Sequence, residues 1–293
     1  MWNGCPLFEQ FSLELPLWRY LAWYKFEDML DSSSLFFTRA DYLKQKYDDA
    51  EGELTTSDSE LIDTVLSGMH QMVSGQRTYI RSVSGIPFIG SQAADVDKYR
   101  AAVEKLYRYY LNHAHVSCWH QNSGEDLHMW REYVPDGNGV ALRTTTRALL
   151  ASMGKTPDEV LATIVQYIDH AAEPITHALW RGGGLYLVVL QMLTRKKLEF
   201  APEREFRLLT CSLPIRELYG QVLRDDIDFS NRVTAPGRHV AVDLLALQPQ
   251  IVLHPKASPE LHDRVSALLR SHSIAGQVDE WPIVRSSIAA IAV

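Results

Sequence analysis

The side chains best suited to chemistry are concentrated in Lys196-Lys197-Leu198-Glu199-Phe200-Ala201-Pro202-Glu203-Arg204-Glu205-Phe206-Arg207-Leu208-Leu209. After Pro202 this segment alternates. Strand side chains repeat every two residues, so Glu203, Glu205 and Arg207 share one side of an extended chain, and Arg204, Phe206 and Leu208 share the other. Two carboxylates held that close repel, and one is expected to titrate high. The pair is either a solvated ion-pair row with Arg207 as counter-ion, worth little to the fold, or part of a site.

Other constellations carry weaker signals. His113, His115, Cys118 and His120 fall within eight positions, and His-x-His and Cys-x-His each put two zinc ligands on one strand face. No Cys-x-x-Cys or His-Glu-x-x-His accompanies them, so structural histidines and no bound metal are expected. Asp48, Asp49 and Glu51 could join Glu203 and Glu205 around a divalent ion, as in a nuclease, although an acidic turn before Gly52 explains them almost as well. Gly182-Gly183-Gly184 lacks the Lys-Ser or Lys-Thr of a phosphate-binding loop and reads as a break. Arg195, Lys196 and Lys197 read as a helix C-terminus complementing the dipole, or as a phosphate contact. Trp119 and Trp130 are of a type most often found in cores.

These residues need a scaffold. Leu17 to Leu21, Leu35 to Thr38, Val116 to His120, Val140 to Arg143, Val160 to Tyr167, Glu203 to Leu209, His239 to Val242 and Ile251 to His254 read as strands. Tyr24 to Leu30, Ser57 to Met72, Asp95 to Asn112, Asp126 to Tyr133, Thr146 to Met153, Pro174 to Leu193 and Pro259 to Ser273 read as helices. Asp31 to Ser34 and Pro135 to Gly139 read as turns. No linker divides the 293 residues, so the expectation is one α+β domain over residues 1–293, with central antiparallel and mixed strands and peripheral helices. The chain is 46% hydrophobic and 22% charged, as expected of a globular protein. Its net charge of −7 disfavours indiscriminate polyanion binding but does not exclude a local basic patch. Three scattered cysteines, the absence of a signal-peptide pattern and an apolar run no longer than Leu185 to Leu193 lead us to expect a cytoplasmic protein without a membrane partner.

Val116-Ser117-Cys118-Trp119-His120, Met129-Trp130-Arg131-Glu132-Tyr133 and Gly139-Val140-Ala141-Leu142 form an ordered set that resembles the bacterial family catalogued as domain of unknown function 2971. The resemblance runs over nearly the whole chain. It takes in Leu35 to Ala40, Asp48-Asp49-Ala50-Glu51-Gly52 (in place of the more typical Asn-Asp-Pro form), the Lys197 to Arg207 signature, Ile251 to Pro255 and Arg285 to Ile288. It brings no settled biochemistry. The family's company implies a role in bacterial conflict or phage defence.

A second resemblance is to ADP-ribosyltransferases. That fold carries Arg or His on its first strand, hydroxyl residues on its second, a central aromatic and a catalytic Glu on a late strand. Here Arg19, Thr38, Tyr133 and Glu203-x-Glu205 follow that order, although Phe36-Phe37-Thr38 stands where a Ser-Thr-Ser triplet would be. The resemblance implies an ADP-ribosyltransferase-like core with NAD as substrate. Breaking the nicotinamide–ribose bond builds positive charge on the sugar, which a fixed carboxylate, Glu205, would stabilise. Glu203 would deprotonate or orient the acceptor, Arg19 would bind the pyrophosphate, and Tyr133 or Trp130 would stack on nicotinamide. The acceptor would be a macromolecule, protein or nucleic acid, or water in NAD hydrolysis. The alternatives from other classes are a non-enzymatic nucleic-acid- or protein-binding module and a metal-dependent nuclease on Asp48, Glu51, Glu203 and Glu205.

Overall fold

A computed structural model describes residues 11–47, 105, 108–169, 193–212, 229–272 and 281–289. The segment proposed as a helix over 57–72, most of those over 95–112 and 174–193, and the acidic Asp48 to Gly52 turn lie outside these residues.

The described residues form a mixed α+β structure around a nine-stranded mixed sheet. Its strands are β1 (Pro16–Ala22), β2 (Ser34–Arg39), β3 (Ala114–Gln121), β4 (Gly139–Thr145), β5 (Leu161–Ile164), β8 (Glu205–Cys211), β9 (Gly237–Ala241), β10 (Gln250–Leu253) and β11 (Ile283–Arg285). Two short parallel strands, β6 (Gln166–Ile168) and β7 (Arg195–Lys197), form a separate ribbon. β1 is buried on both faces. Leu17 and Leu21 join Val140, Leu142 and Ile251 in the main core, while Trp18 and Tyr20 pack with Ala141, Val252, Met129 and Trp130 on the other face. Gly139 is required where β4 meets β1, because a Cβ there would lie 2.2 Å from the Leu21 carbonyl oxygen.

The arrangement that matters for a site is a split at β3. One edge of β3 pairs with β8 from Ala114 to His120. The other edge serves two strands. β2 pairs at His115 and Val116, and β1 pairs at His120 and Gln121. Residues 117–119 pair with neither, so the sheet forks between β1 and β2. Helix α1 (Trp23–Ser32) carries the chain from one arm to the other, ending on Ser33 in the left-handed conformation.

Several expectations shift. Val160 to Tyr167 is not one strand. Its backbone leaves β8 at Val165, whose N–H still reaches the Glu205 carbonyl, and Gln166 turns to β7. Arg195 to Lys197 is a strand and not a helix end. Glu203 is not in a strand: Leu198–Glu203 is a 3₁₀ turn, Arg204 sits at φ +43°, and the strand starts at Glu205.

Candidate active site

The fork opens into a cavity of about 950 Å³. β1 supplies Arg19, β2 supplies Thr38, the Leu127–Tyr133 helix supplies Tyr133, β7 supplies Lys196, and the 3₁₀ turn and β8 supply Glu203 and Glu205. The helix starts where it does because Asp126 caps it, accepting from the N–H groups of His128 at 2.8 Å and Met129 at 3.3 Å. That start places Tyr133 one turn beyond Met129, whose side chain faces the core.

Arg19 spans the fork. It donates from Nη1 to Ser117 Oγ at 2.6 Å on β3 and from Nη2 to the Phe36 carbonyl at 3.1 Å on β2, and its guanidinium lies 5.5 Å from the centre of the Trp119 ring. Among the described residues no carboxylate pairs with it. Burial lowers its pKa to about 10. A guanidinium lining a cavity without a counter-ion suits an anionic ligand.

The two glutamates differ sharply. Glu205 is 6% exposed. Its Oε1 accepts from Lys196 Nζ at 2.8 Å and its Oε2 from Arg207 Nε at 2.5 Å. Arg207 is fully buried and also donates to the Leu193 carbonyl at 2.7 Å. Burial opposes the Glu205 charge, but Arg207 and Lys196 outweigh it and hold the carboxyl well below its usual range. Glu203, with a side chain 23% exposed, accepts from the same Lys196 Nζ at 2.6 Å. Burial, and then the hydrogen bond and charge of Glu205, push its pKa up to about 8. Two environments therefore drive the two carboxyls apart: Glu205 is held ionised, and Glu203 is pushed toward the protonated form.

The surroundings hold this arrangement. His120 Nδ1 donates to the Glu203 carbonyl at 2.6 Å, and Tyr167 Oη accepts from the Glu205 N–H at 2.8 Å. The Phe200 ring covers the Lys196 ammonium, 4.7 Å from its centre. Tyr133 is 42% exposed as a residue, yet its hydroxyl is raised in pKa by burial and by the negative charge of Glu205 and Glu203.

Arg19, Thr38, Tyr133, Glu203 and Glu205 thus line one cavity. Trp130 does not join them. It is fully buried, donates from Nε1 to Glu125 at 3.1 Å and packs edge-on against Tyr20 and His254, so stacking on a ligand is not open to it. The surface ion-pair reading of Glu203, Glu205 and Arg207 also fails, because Arg207 and Glu205 are buried. The basic run carries no helix dipole, and Lys196 is instead the buried bridge between the two carboxylates. Lys196, Cys118 and His120 were not foreseen in the wall. Alternation from Cys118 to His120 could have signalled the last two, whereas nothing local signals Lys196.

The histidine cluster is dispersed. His113 bonds Ser212 and the Asn231 carbonyl, His120 serves Glu203, and His115 is buried on β3. Burial and the Arg238 charge bring His115 down to about 4, so it is neutral. Among the described residues no group of three or more His, Cys, Asp or Glu side chains is arranged to hold a metal, and none of their helices is long and apolar enough to cross a membrane. No protein-family model, no curated protein and no solved structure matches the chain.

Proposed function

We propose that the chain breaks the nicotinamide–ribose bond of NAD and passes ADP-ribose to a macromolecule or to water. One observation carries this reading: Arg19, Tyr133, Glu203 and Glu205 meet in a single cavity at the fork of the sheet. The volume suits a small-molecule site, typically about 300–1,000 Å³. The guanidinium of Arg19, which pairs with no carboxylate among the described residues, takes the pyrophosphate, and Glu205, already fixed by Lys196 and Arg207, supplies a negative charge that needs no reorganisation as the ribosyl cation forms. Both Glu205 oxygens already accept a hydrogen bond, so its part is electrostatic, and Glu203 is the carboxyl that reaches the acceptor. The ADP-ribosyltransferase-like core, the resemblance to the uncharacterised bacterial family, a cytoplasmic location and a role in phage defence belong to the same reading.

The nuclease alternative is disfavoured by Lys196, whose ammonium occupies the position between Glu203 and Glu205 that a cation would need. The test is incubation with labelled NAD and cell extract, following nicotinamide release and label transfer. Wild type should release nicotinamide, and Arg19→Gln should raise the NAD concentration needed. No NAD consumption by wild type, under conditions where it binds a macromolecular partner, would favour the binding-module reading.

A further inference from the structure

The leaving group sets a requirement that NAD does not use. Nicotinamide departs from a pyridinium and is already neutral when the bond breaks, so no acid is needed. A purine or pyrimidine departing from a nucleotide would leave as an anion unless a proton is delivered to it, which is general acid catalysis. The cavity holds a carboxyl placed for that delivery. Glu205 is committed through both oxygens to Lys196 and Arg207. Glu203 is 23% exposed in the cavity wall, shares one ammonium with Glu205, and has its backbone fixed by His120. The groups facing it are Lys196 from β7, Glu205 from β8, Tyr167 from β6 and Tyr133 from the Leu127–Tyr133 helix.

From this geometry we infer that Glu203 is a general acid and that the cavity also hydrolyses ribonucleoside 5′-phosphates, releasing the free base. The inference rests on the glycosidic reading of the cavity but not on NAD being the substrate. Arg19 holds the phosphate, and the cavity-lining rings of Tyr133 and Phe36 flank the base. The C1′–N bond breaks, its electron pair goes to the base, and the Glu203 proton goes to a base nitrogen. Water forms the new C1′–O bond and returns one proton to Glu203, leaving ribose 5-phosphate and neutral base. Carboxylate pairs in other glycosidases divide the work in a similar way. The pKa of about 8 for Glu203 supplies the proton at neutral pH.

The experiment uses the full chain with AMP, GMP, CMP and UMP, with free base read by chromatography. A 4-nitrophenyl riboside 5-phosphate, whose leaving group needs no acid, and NAD are run in parallel. Base release should fall on the order of 10²–10³-fold in Glu203→Gln, a larger loss than that of nitrophenolate release, which loses only the group that takes the proton from water. In wild type, base release should decline as pH rises past about 8 and nitrophenolate release should not. The pH comparison needs no variant, so a folding defect cannot mask the result. No base from any of the four nucleotides, or equal losses for both leaving groups, overturns the inference. Nicotinamide release without base release overturns this inference alone. Base release without NAD consumption overturns the NAD proposal alone, and neither activity overturns both.

Discussion

Neutralising Glu205 should destabilise the protein severely, and this separates it from its neighbour Glu203. Glu205→Gln preserves shape but removes the charge that faces Arg207 Nε at 2.5 Å and Lys196 Nζ at 2.8 Å. Lys196 keeps the Glu203 carboxyl, but Arg207, which is fully buried, loses the Glu205 charge. The new amide also turns an N–H₂ toward one of two groups that can only donate. Breaking one side of a buried ion pair costs about 3–5 kcal/mol. For a chain of this size that is a fall in Tm on the order of 10 °C. Glu203→Gln should cost less than about 1 kcal/mol, because its carboxyl is partly exposed and already pushed toward the neutral form that the amide resembles. The assay is urea unfolding at pH 7 for wild type and both variants. The folded pKa of Glu205 is depressed, so its contribution is present above the unfolded carboxyl value near 4.3 and is lost as pH falls through the folded value. The gap between wild type and Glu205→Gln should therefore narrow in acid. A Glu205→Gln variant within about 1 kcal/mol of wild type at pH 7 would refute the reasoning.

Glu203 has the opposite sign. Its folded pKa is raised, so its contribution is present below the unfolded value, about 4.3, and is lost as pH rises through about 8. Wild type should lose stability across that window relative to Glu203→Gln, as denaturant midpoints at pH 5 and pH 9 would record. At the β1–β4 contact, Gly139→Ala would place a Cβ 2.2 Å from the Leu21 carbonyl and 2.8 Å from Val134 Cγ1. Backbone cannot yield there cheaply, and a loss of about 3 kcal/mol or more is expected in the same unfolding assay.

Elements governed by local pattern were legible in the sequence. Leu261, Val265 and Leu269 recur at helical spacing and do form the buried stripe of the Pro259–Ser271 helix. The helix read over Asp126 to Tyr133 is present as Leu127–Tyr133, with Asp126 serving as its cap rather than its first residue. What failed depended on distant partners. Lys196 lies in a run of three cations that shows no strand alternation, and its burial depends on carboxylates that arrive seven and nine residues later. The apparent alternation of Glu203 with Glu205 breaks at Arg204, a left-handed residue of a type that seldom adopts that conformation. Trp130 and Tyr133 sit on one short helix, and their composition does not reveal which faces the core and which the cavity. Arg19, Thr38, Tyr133, Glu203 and Glu205, grouped by their order along the chain, do line one cavity, but which carboxyl is held ionised was not legible, because Arg207 and Lys196 decide it and not the motif.

The fork gives Arg19 two employments. An open strand edge invites wrong pairing, and here one guanidinium that also faces the cavity spans the gap, tying the Ser117 hydroxyl of β3 to the Phe36 carbonyl of β2. Lysine, a point donor, could not reach Ser117 and Phe36 together in the same planar grip. A descendant of this chain that abandoned its chemistry would still need arginine here to keep the arms of the sheet in register. Arginine retained at this position across diverged copies would therefore report an intact fold, and it is variation at Glu203, which the fold can spare, that would mark where selection for the chemistry had ended.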